Sequence, residues 1–382
     1  MSAQVLRFVN KNEKTAQEKY EEVVAEVTSE YLSQSQRFPW IVGFSGGKDS
    51  TVLAQAVFDA LLRISPAQRT RDVHVVANDT RVESPFVIAV LDIALKRISE
   101  AATSLALPVT VKKTQPKVDQ SFWVNLIGRG YPSPNMSMRW CTDRLKIQPT
   151  NQYIKEHVSN AGAAIVLLGV RRDESASRQR SIDKQKSETS KLIRHSELMG
   201  AYIYRPIVDL STDEIWEIIG SSPPPWGGSH EEPIALYRGA EGGECPVVMG
   251  TDDAPSCGTK SSRFGCWTCT VVEKDKSLQG FVDAGATRYL PLIEFRDWLK
   301  SIRNDRSLRQ AVRRSGKLTF DASGKVIPGP FTIPARQAVL NRLLQVEALV
   351  GMPLISEEEK RLISQHWATE ISNGKGIDSN GK

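Results

Sequence analysis

The chain has 382 residues, 40% of them hydrophobic and 25% charged, a balance that excludes disordered, fibrous and membrane-embedded classes and allows a sizeable core. Fifty Lys and Arg against 44 Asp and Glu leave a charge of +6, which permits a nucleic-acid partner without establishing one. The longest apolar runs, such as 163–170, fall far short of the ~20 residues that cross a bilayer, so no membrane partner is expected.

Taken in chain order, residues Glu13 to Gln34 predict an amphipathic helix, because Tyr20, Val23, Val24, Val27 and Tyr31 recur at spacings of three and four. It is expected to lie over the core as a lid, forming an N-terminal unit over 1–38. Residues 1–15 show no apolar h-region or small-residue cleavage site, so no signal peptide is read and the expected compartment is the cytoplasm. Short apolar runs follow at Trp40–Phe44, Val73–Ala77, Val109–Val111, Ile165–Leu168 and, more weakly, Tyr202–Ile207, separated by helical patterns such as Thr51–Arg63. Alternation of strand and helix implies right-handed crossovers and a doubly wound parallel sheet over 39–220. After Ile219 a Gly-, Ser- and Pro-rich stretch opens a loop-rich, cysteine-bearing segment over 221–281. A basic helical region over 282–372 comes next, with patterns at Leu290–Arg314, Pro334–Val350 and Glu357–Ile371, and then a Gly-rich tail over 373–382 that should fray.

The first chemical motif is Ser45-Gly46-Gly47-Lys48-Asp49-Ser50, between a strand and a helix. Two glycines let the backbone approach an anion closely, and N–H groups of the turn and of the helix start point at it along the favourable end of the helix dipole. Lys48 and the hydroxyls of Ser45 and Ser50 add charge and donors. A kinase-type P-loop is excluded, since Val42 stands where that motif needs Gly and Asp49 follows the lysine. The hexapeptide resembles the PP-loop of the ATP pyrophosphatases, the adenine-nucleotide α-hydrolase group that cleaves ATP between its α and β phosphates. The resemblance implies an adenylated target and released pyrophosphate, with Gly46, Gly47 and Lys48 holding the pyrophosphate and Asp49 associated with Mg²⁺.

The second motif, Gly169 to Arg178, follows the run Ile165–Leu168. A doubly wound sheet binds its ligand at the carboxyl ends of its strands, so Gly169, Arg171 and Arg172 should emerge beside the glycine loop, where guanidinium forks suit phosphate oxygens; the plainer alternative is a salt-bridged loop. The pattern is similar to the Gly-x-Arg-Arg-x-x-Ser element of the PAPS reductases, as are Pro206-Ile207-Val208-Asp209 and Cys141 to Lys146. Asp79 and Thr80 sit where adenosine is recognised in such folds, and a turn-capping role for Asp79 is the competing reading.

The third motif is Cys245-x11-Cys257-x8-Cys266-x2-Cys269, four of the five cysteines within 25 residues, with Cys141 apart. In a chain with a large core such clustering points to a metal or to catalysis rather than to disulfides. Four thiolates hold either tetrahedral Zn²⁺ or a [4Fe-4S] cluster. The irregular spacing and single Cys-x-x-Cys pair weigh against a zinc ribbon and favour the cluster, over zinc and over metal-free redox thiols. The segments 122–132, 139–142, 243–246, 256–258, 263–270 and 328–332 resemble the DndC family, PP-loop iron-sulfur proteins of bacterial DNA phosphorothioation, over about residues 38–345; the single-strand counterpart, the SspD type, is similar too.

That resemblance implies an ATP pyrophosphatase and sulfurtransferase that adenylates a DNA backbone phosphate for sulfur insertion. Its expected catalytic residues are Lys48, Asp49, Arg171, Arg172 and Cys141. Its cofactors would be ATP, Mg²⁺ and a [4Fe-4S] cluster; its partners DNA, a cysteine desulfurase as sulfur donor, and DndD/DndE-like proteins. Two cysteine assignments stay open: Cys245, Cys257, Cys266 and Cys269 bind iron while Cys141 carries persulfide, or Cys141 is a ligand and one of the four is the carrier. From Lys300 to Lys317, seven basic residues stand against the single acid Asp305, so Lys300, Arg303, Arg306, Arg313 and Arg314 are candidate DNA contacts, a solvated helix face being the alternative. Other functions in play are tRNA thiolation, reduction of adenylylated sulfate, and a non-catalytic zinc module that binds nucleic acid. The reductase chemistry needs a C-terminal cysteine, and none follows Cys269.

Overall fold

A computed structural model describes residues 14–33, 37–184, 191–240 and 265–374. Its first helix, α1 (Ala16–Leu32), starts at Thr15, whose side chain and that of Glu18 cap each other's backbone, satisfying two of the orphan donors of a helix start. The buried face is Tyr20, Val24, Val27 and Tyr31, and it lies on the helices α2 (Lys48–Arg63) and α6 (Thr212–Ser221). This face is part of the principal core rather than a cover placed over it.

The sheet runs in the order β3-β2-β1-β4-β6-β5, from β1 (Trp40–Gly43), β2 (Val73–Asn78), β3 (Val109–Thr114), β4 (Ala164–Leu167), β5 (Ile193–Arg194) and β6 (Ala201–Tyr204). Every pairing is parallel except that of β5 with β6, so the fold is mixed α/β with a mostly parallel sheet, as the alternation of runs implied. The antiparallel β5 was not foreseen; two residues give no periodicity to read. β1 and β4 are buried along their whole length, as central strands covered on both faces must be. One face is covered by α1, α2, α6 and α3 (Pro85–Ser104), the other by α4 (Gln148–Ala161), which buries Ile154 against Ile41, Val76 and Val166. The last strand is shorter than the run Tyr202–Ile207, ending at Tyr204 before turns that bond Val208 N to Arg205 O and Leu210 N to Ile207 O.

A second core lies outside the sheet. Phe122, Trp123, Leu126 and Trp267 pack there with Phe295, Val339, Leu343 and Ile363, which come from α9 (Leu290–Ile302), α10 (Ile333–Val350) and α11 (Glu357–Ser372). The chain between β3 and α4 thus leaves the sheet to join the C-terminal helices, through two π-helical segments, Val124–Gly128 and Thr142–Ile147. Helix α5 (Ala176–Lys184) follows β4, while α7 (Glu231–Ala240) and α8 (Lys276–Asp283) flank the cysteine-rich stretch. The helical pattern read over Leu290–Arg314 breaks at Ile302: Asp305 caps a short 3₁₀ turn, Arg306–Leu308, and the following residues run extended, with Arg309 bridged to Phe331. No helix among the described residues is long and apolar enough to cross a membrane.

Candidate nucleotide site and thiol cluster

In the sheet order, β2 and β4 flank β1 on opposite sides, so the chain's direction of winding reverses between β1 and β4. Ligands of open α/β sheets bind in the crevice outside such a switch point. The Ser45–Ser50 turn leaves β1 there. Gly46 has φ +74 and Gly47 is the N-cap of α2, so Lys48, Asp49 and Ser50 form the first helical turn, three residues earlier than the apolar pattern places it. The hydroxyl of Ser50 accepts from Ser45 N at 3.1 Å and donates to Gly47 O at 2.9 Å, which closes the turn on itself. First-turn N–H groups have no partner within a helix, and that of Lys48 finds one outside it. Gly169, just after β4, allows the close approach of this turn, since a Cβ there would stand 3.0 Å from Asp49 O and 3.1 Å from Ser50 N.

Lys48 is buried, with its ammonium 2.9 Å from Asp49 Oδ2. Burial pushes its pKa below the ordinary lysine value, against the pull of Asp49. Tyr237 of α7, which no sequence motif marked, reaches the same turn: its hydroxyl oxygen accepts Lys48 N–H at 3.1 Å, and its ring meets Trp216 edge-on at 4.9 Å. A Cβ on Gly47 would lie 3.0 Å from that hydroxyl, so the turn is a cradle already fitted to an oxygen.

The two arginines are paired within the protein. Arg171 is fully buried, with Nε–H donated to Asp49 Oδ1, Nη1 to Leu210 O at 3.1 Å and Nη2 to Thr212 Oγ1 at 3.2 Å. Arg172 donates to Asp209 Oδ1 at 2.6 Å. Three of the fork's nitrogens in Arg171 are committed within the protein, so it positions Asp49, and the salt-bridged-loop reading describes the pair. Asp49 in turn has Lys48 on one oxygen and Arg171 on the other; with both oxygens on cations it does not fit as a direct Mg²⁺ ligand in this arrangement.

At the end of β2, Asp79 accepts from Arg81 N at 2.8 Å and from Gln115 Nε2 at 2.7 Å, the turn-capping arrangement rather than a carboxylate open to adenosine. Thr80 faces the thiols. Its hydroxyl donates to Glu83 Oε1 at 2.9 Å and lies 3.2 Å from Cys266 Sγ. Residues 265–267 run antiparallel to 82–84, with Ser84 N bonded to Gly265 O at 3.2 Å and Trp267 N to Val82 O at 3.1 Å. Cys266 is therefore fixed against the carboxyl end of β2 by main-chain pairing. Burial pushes its thiol well up, and Glu83 and Cys141 add to the rise while Lys146 opposes it. Cys141 and Cys266 both pack against the second core. Cys269 closes a turn on Cys266, its N–H 3.0 Å from Cys266 O. Cys245 and Cys257 lie outside the described residues. Among the described residues no three His, Cys, Asp or Glu side chains meet as a metal site. Thiolates are the donor type that iron takes; Cys141 and Cys266 pack against one core and Cys269 follows Cys266 within a turn.

The basic stretch does not form one DNA-facing helix. Lys300 pairs with Glu273 at 2.5 Å, Arg303 donates to Pro134 O at 2.9 Å and Thr270 O at 3.1 Å, and Arg306 donates to Val326 O at 3.0 Å. The guanidiniums of Arg303 and Arg306 thus donate to backbone carbonyls of distant segments. Arg313 and Arg314 lie further on, at the turn closed by Arg313 N on Lys317 O at 2.9 Å.

The model of the phosphoadenosine phosphosulfate reductase domain matches residues 39–272, from the residue before β1 to just past Cys269. The chain belongs to the phosphoadenosine phosphosulfate reductase family. Among solved structures, the FMN adenylyltransferase of Candida glabrata aligns at 10% identity and TM-score 0.32 over 57% of this chain and 61% of that one. This member of the reductase family thus spans less than two thirds of that enzyme. The phosphoadenylyl-sulfate reductase of Candida auris, solved as a phosphate complex, aligns at 17% identity and TM-score 0.30 over 55% of this chain and 79% of its own. The U34-tRNA thiolase NcsA of Methanococcus maripaludis, solved with its [4Fe-4S] cluster, aligns at 11% identity and TM-score 0.33 over 58% and 73%. No curated protein sequence matches the chain.

Proposed function

We propose that this reductase-family protein is an ATP pyrophosphatase and sulfurtransferase that adenylates a DNA backbone phosphate and replaces one of its non-bridging oxygens with sulfur. The observation that carries the proposal is the presence of an oxygen-fitted PP-loop turn after β1 and of Cys266 held by main-chain pairing just beyond β2, with Cys141 packed against the same second core. The DNA acceptor rests on the resemblance of the cysteine-rich segments to the DndC family.

In this reading the β and γ phosphates of ATP lie on the Gly46-Gly47 backbone and the first turn of α2, displacing the Tyr237 hydroxyl from Lys48 N–H. Lys48 stabilises the charge that builds on the departing pyrophosphate as an acceptor phosphate oxygen attacks the α phosphorus. Arg171 keeps the first turn in place through Asp49. The adenylated phosphate then has AMP as a leaving group. The terminal sulfur of a cysteine persulfide attacks its phosphorus, and AMP departs with the former phosphate oxygen. An external dithiol cleaves the remaining S–S bond, becoming a disulfide, so that the thiophosphate is released and the cysteine returns as a thiol. A cysteine desulfurase supplies the persulfide, and DndD/DndE-like proteins are the proposed companions.

For the iron site, the packing of Cys141 and Cys266 against one core supports the second assignment: Cys141, Cys266 and Cys269 are ligands together with either Cys245 or Cys257, and the remaining cysteine is the carrier. When bound, a [4Fe-4S] cluster supplies one-electron chemistry and a cross-link between the 265–270 segment and the start of the second π-helical segment. The test is mass spectrometry of nuclease-digested DNA and tRNA from cells with and without the protein. Sulfur-containing dinucleotides should appear in DNA with the intact chain and vanish with Lys48→Ala; sulfur in tRNA alone would replace the acceptor.

A further inference from the structure

Four guanidiniums gather around the segment that carries Gly130 and Tyr131. Arg144 and Arg314 both lie against the ring of Tyr131, 5.4 and 5.5 Å from its centroid. Arg129 is nearby, held by Asn125 Oδ1 at 3.2 Å and by Asp119 at 3.6 Å. Beneath them Arg336 is fully buried, 2.8 Å from Glu370 and donating to Gly128 O at 2.9 Å and Phe331 O at 2.7 Å. Gly130, at φ +73, makes room for it, since a Cβ there would stand 2.4 Å from Arg336 Nε.

The carboxylates bonded to this group among the described residues are Asp119 and Glu370. Arg144 has neutral partners, Gln120 and the Tyr131 hydroxyl at 3.3 Å, and Arg314 is exposed. The excess is felt locally. Burial lowers the pKa of Arg129, with Asp119 opposing and Arg314 and Arg144 adding smaller pushes down; burial, then Arg129 and Arg314, lower that of His366 against Glu370. Like charges half removed from water repel, and a polyanion offsets that repulsion. The patch also has a direction: Tyr131 meets Trp140 edge-on at 5.6 Å, and Trp140 is the residue before Cys141.

We infer that Arg129, Arg144 and Arg314, arranged around Tyr131, form the surface on which a DNA sugar-phosphate backbone docks, bringing a phosphate toward Cys141. The inference rests on the DNA-acceptor reading above and moves the docking surface away from Lys300, Arg303 and Arg306. Arg314 sits on an exposed turn, so its charge reversal leaves the fold intact, and Lys96, exposed on α3, is the distant control.

Binding of a short fluorescent DNA duplex is measured against salt for the full chain, Arg144→Gln, Arg314→Glu and Lys96→Gln, with pyrophosphate release and the sulfur content of cellular DNA followed on the same proteins. Arg144→Gln and Arg314→Glu should each weaken binding about tenfold and flatten the slope of log K against log salt by about one, with Lys96→Gln unchanged. Affinity and slope like those of the unaltered chain in both variants overturn the docking inference, even while sulfur still enters DNA. Should both variants lose DNA binding while the unaltered chain leaves no sulfur in DNA, the surface stands and the acceptor reading falls.

Discussion

Arg171 and Asp49 join the two sides of the switch point. The guanidinium stands at the end of β4 and the carboxylate in the first turn of α2, and Arg171 Nε–H is donated to Asp49 Oδ1 with no solvent exposure of the arginine. The same fork reaches Leu210 O and Thr212 Oγ1, and Asp173 accepts from Thr212 N at 2.8 Å. One side chain therefore fastens the phosphate turn to the start of α6.

Removing that fork leaves a nearly buried carboxylate and a carbonyl without their donors. Arg171→Ala should destabilise the protein by about 3 kcal/mol, in the range found when one partner of a buried pair is deleted, and should abolish pyrophosphate release. Denaturant unfolding monitored by tryptophan fluorescence checks the first result. Stability close to that of the unaltered chain would mean the pair carries little of the architecture.

Lys48 sets a pH dependence. Burial lowers its pKa from 10.5, with Asp49 opposing. A base whose folded pKa lies below its unfolded value is disfavoured in its charged form by folding, so its contribution to stability improves as pH rises toward the unfolded value. Phosphate binding has the opposite sign, because the ammonium is the form that grips an anion. ATP affinity, measured by calorimetry, should begin to fall at a pH below that of an ordinary lysine, while Lys48→Ala binds weakly with no such fall.

Tyr237 makes a different kind of prediction. Its hydroxyl accepts Lys48 N–H at 3.1 Å, so a phosphate entering the turn has to replace it. Tyr237→Phe removes the competitor and retains the ring against Trp216. ATP binding should tighten about fivefold, matching the ~1 kcal/mol of a typical net hydrogen bond; weaker binding would instead show the hydroxyl serving as a phosphate donor.

The cysteines separate by iron content. Cys141→Ser and Cys266→Ser, purified without oxygen, should both lose iron, whereas of Cys245→Ser and Cys257→Ser only one should. Because binding free energy is also folding free energy, each iron-losing variant should unfold at a lower denaturant concentration. Iron retained in Cys141→Ser would restore the alternative in which Cys141 carries the persulfide.

The amino-acid sequence alone determined the alternation of strands and helices, the glycine turn after Trp40–Phe44 and the grouping of Cys266 with Cys269, since each depends on neighbours along the chain: an apolar period, two adjacent glycines, a two-residue spacing. Only the tertiary structure decided what those pieces face. Arg171 and Asp49 are 122 positions apart, and nothing in either segment tells a guanidinium that binds phosphate from one that binds a carboxylate. Tyr237 reaches Lys48 across 189 positions, and Arg314 reaches Tyr131 through the fold of the second core. Burial and pairing across such separations are set by how elements pack, whereas a sequence pattern records only which residues can be packed.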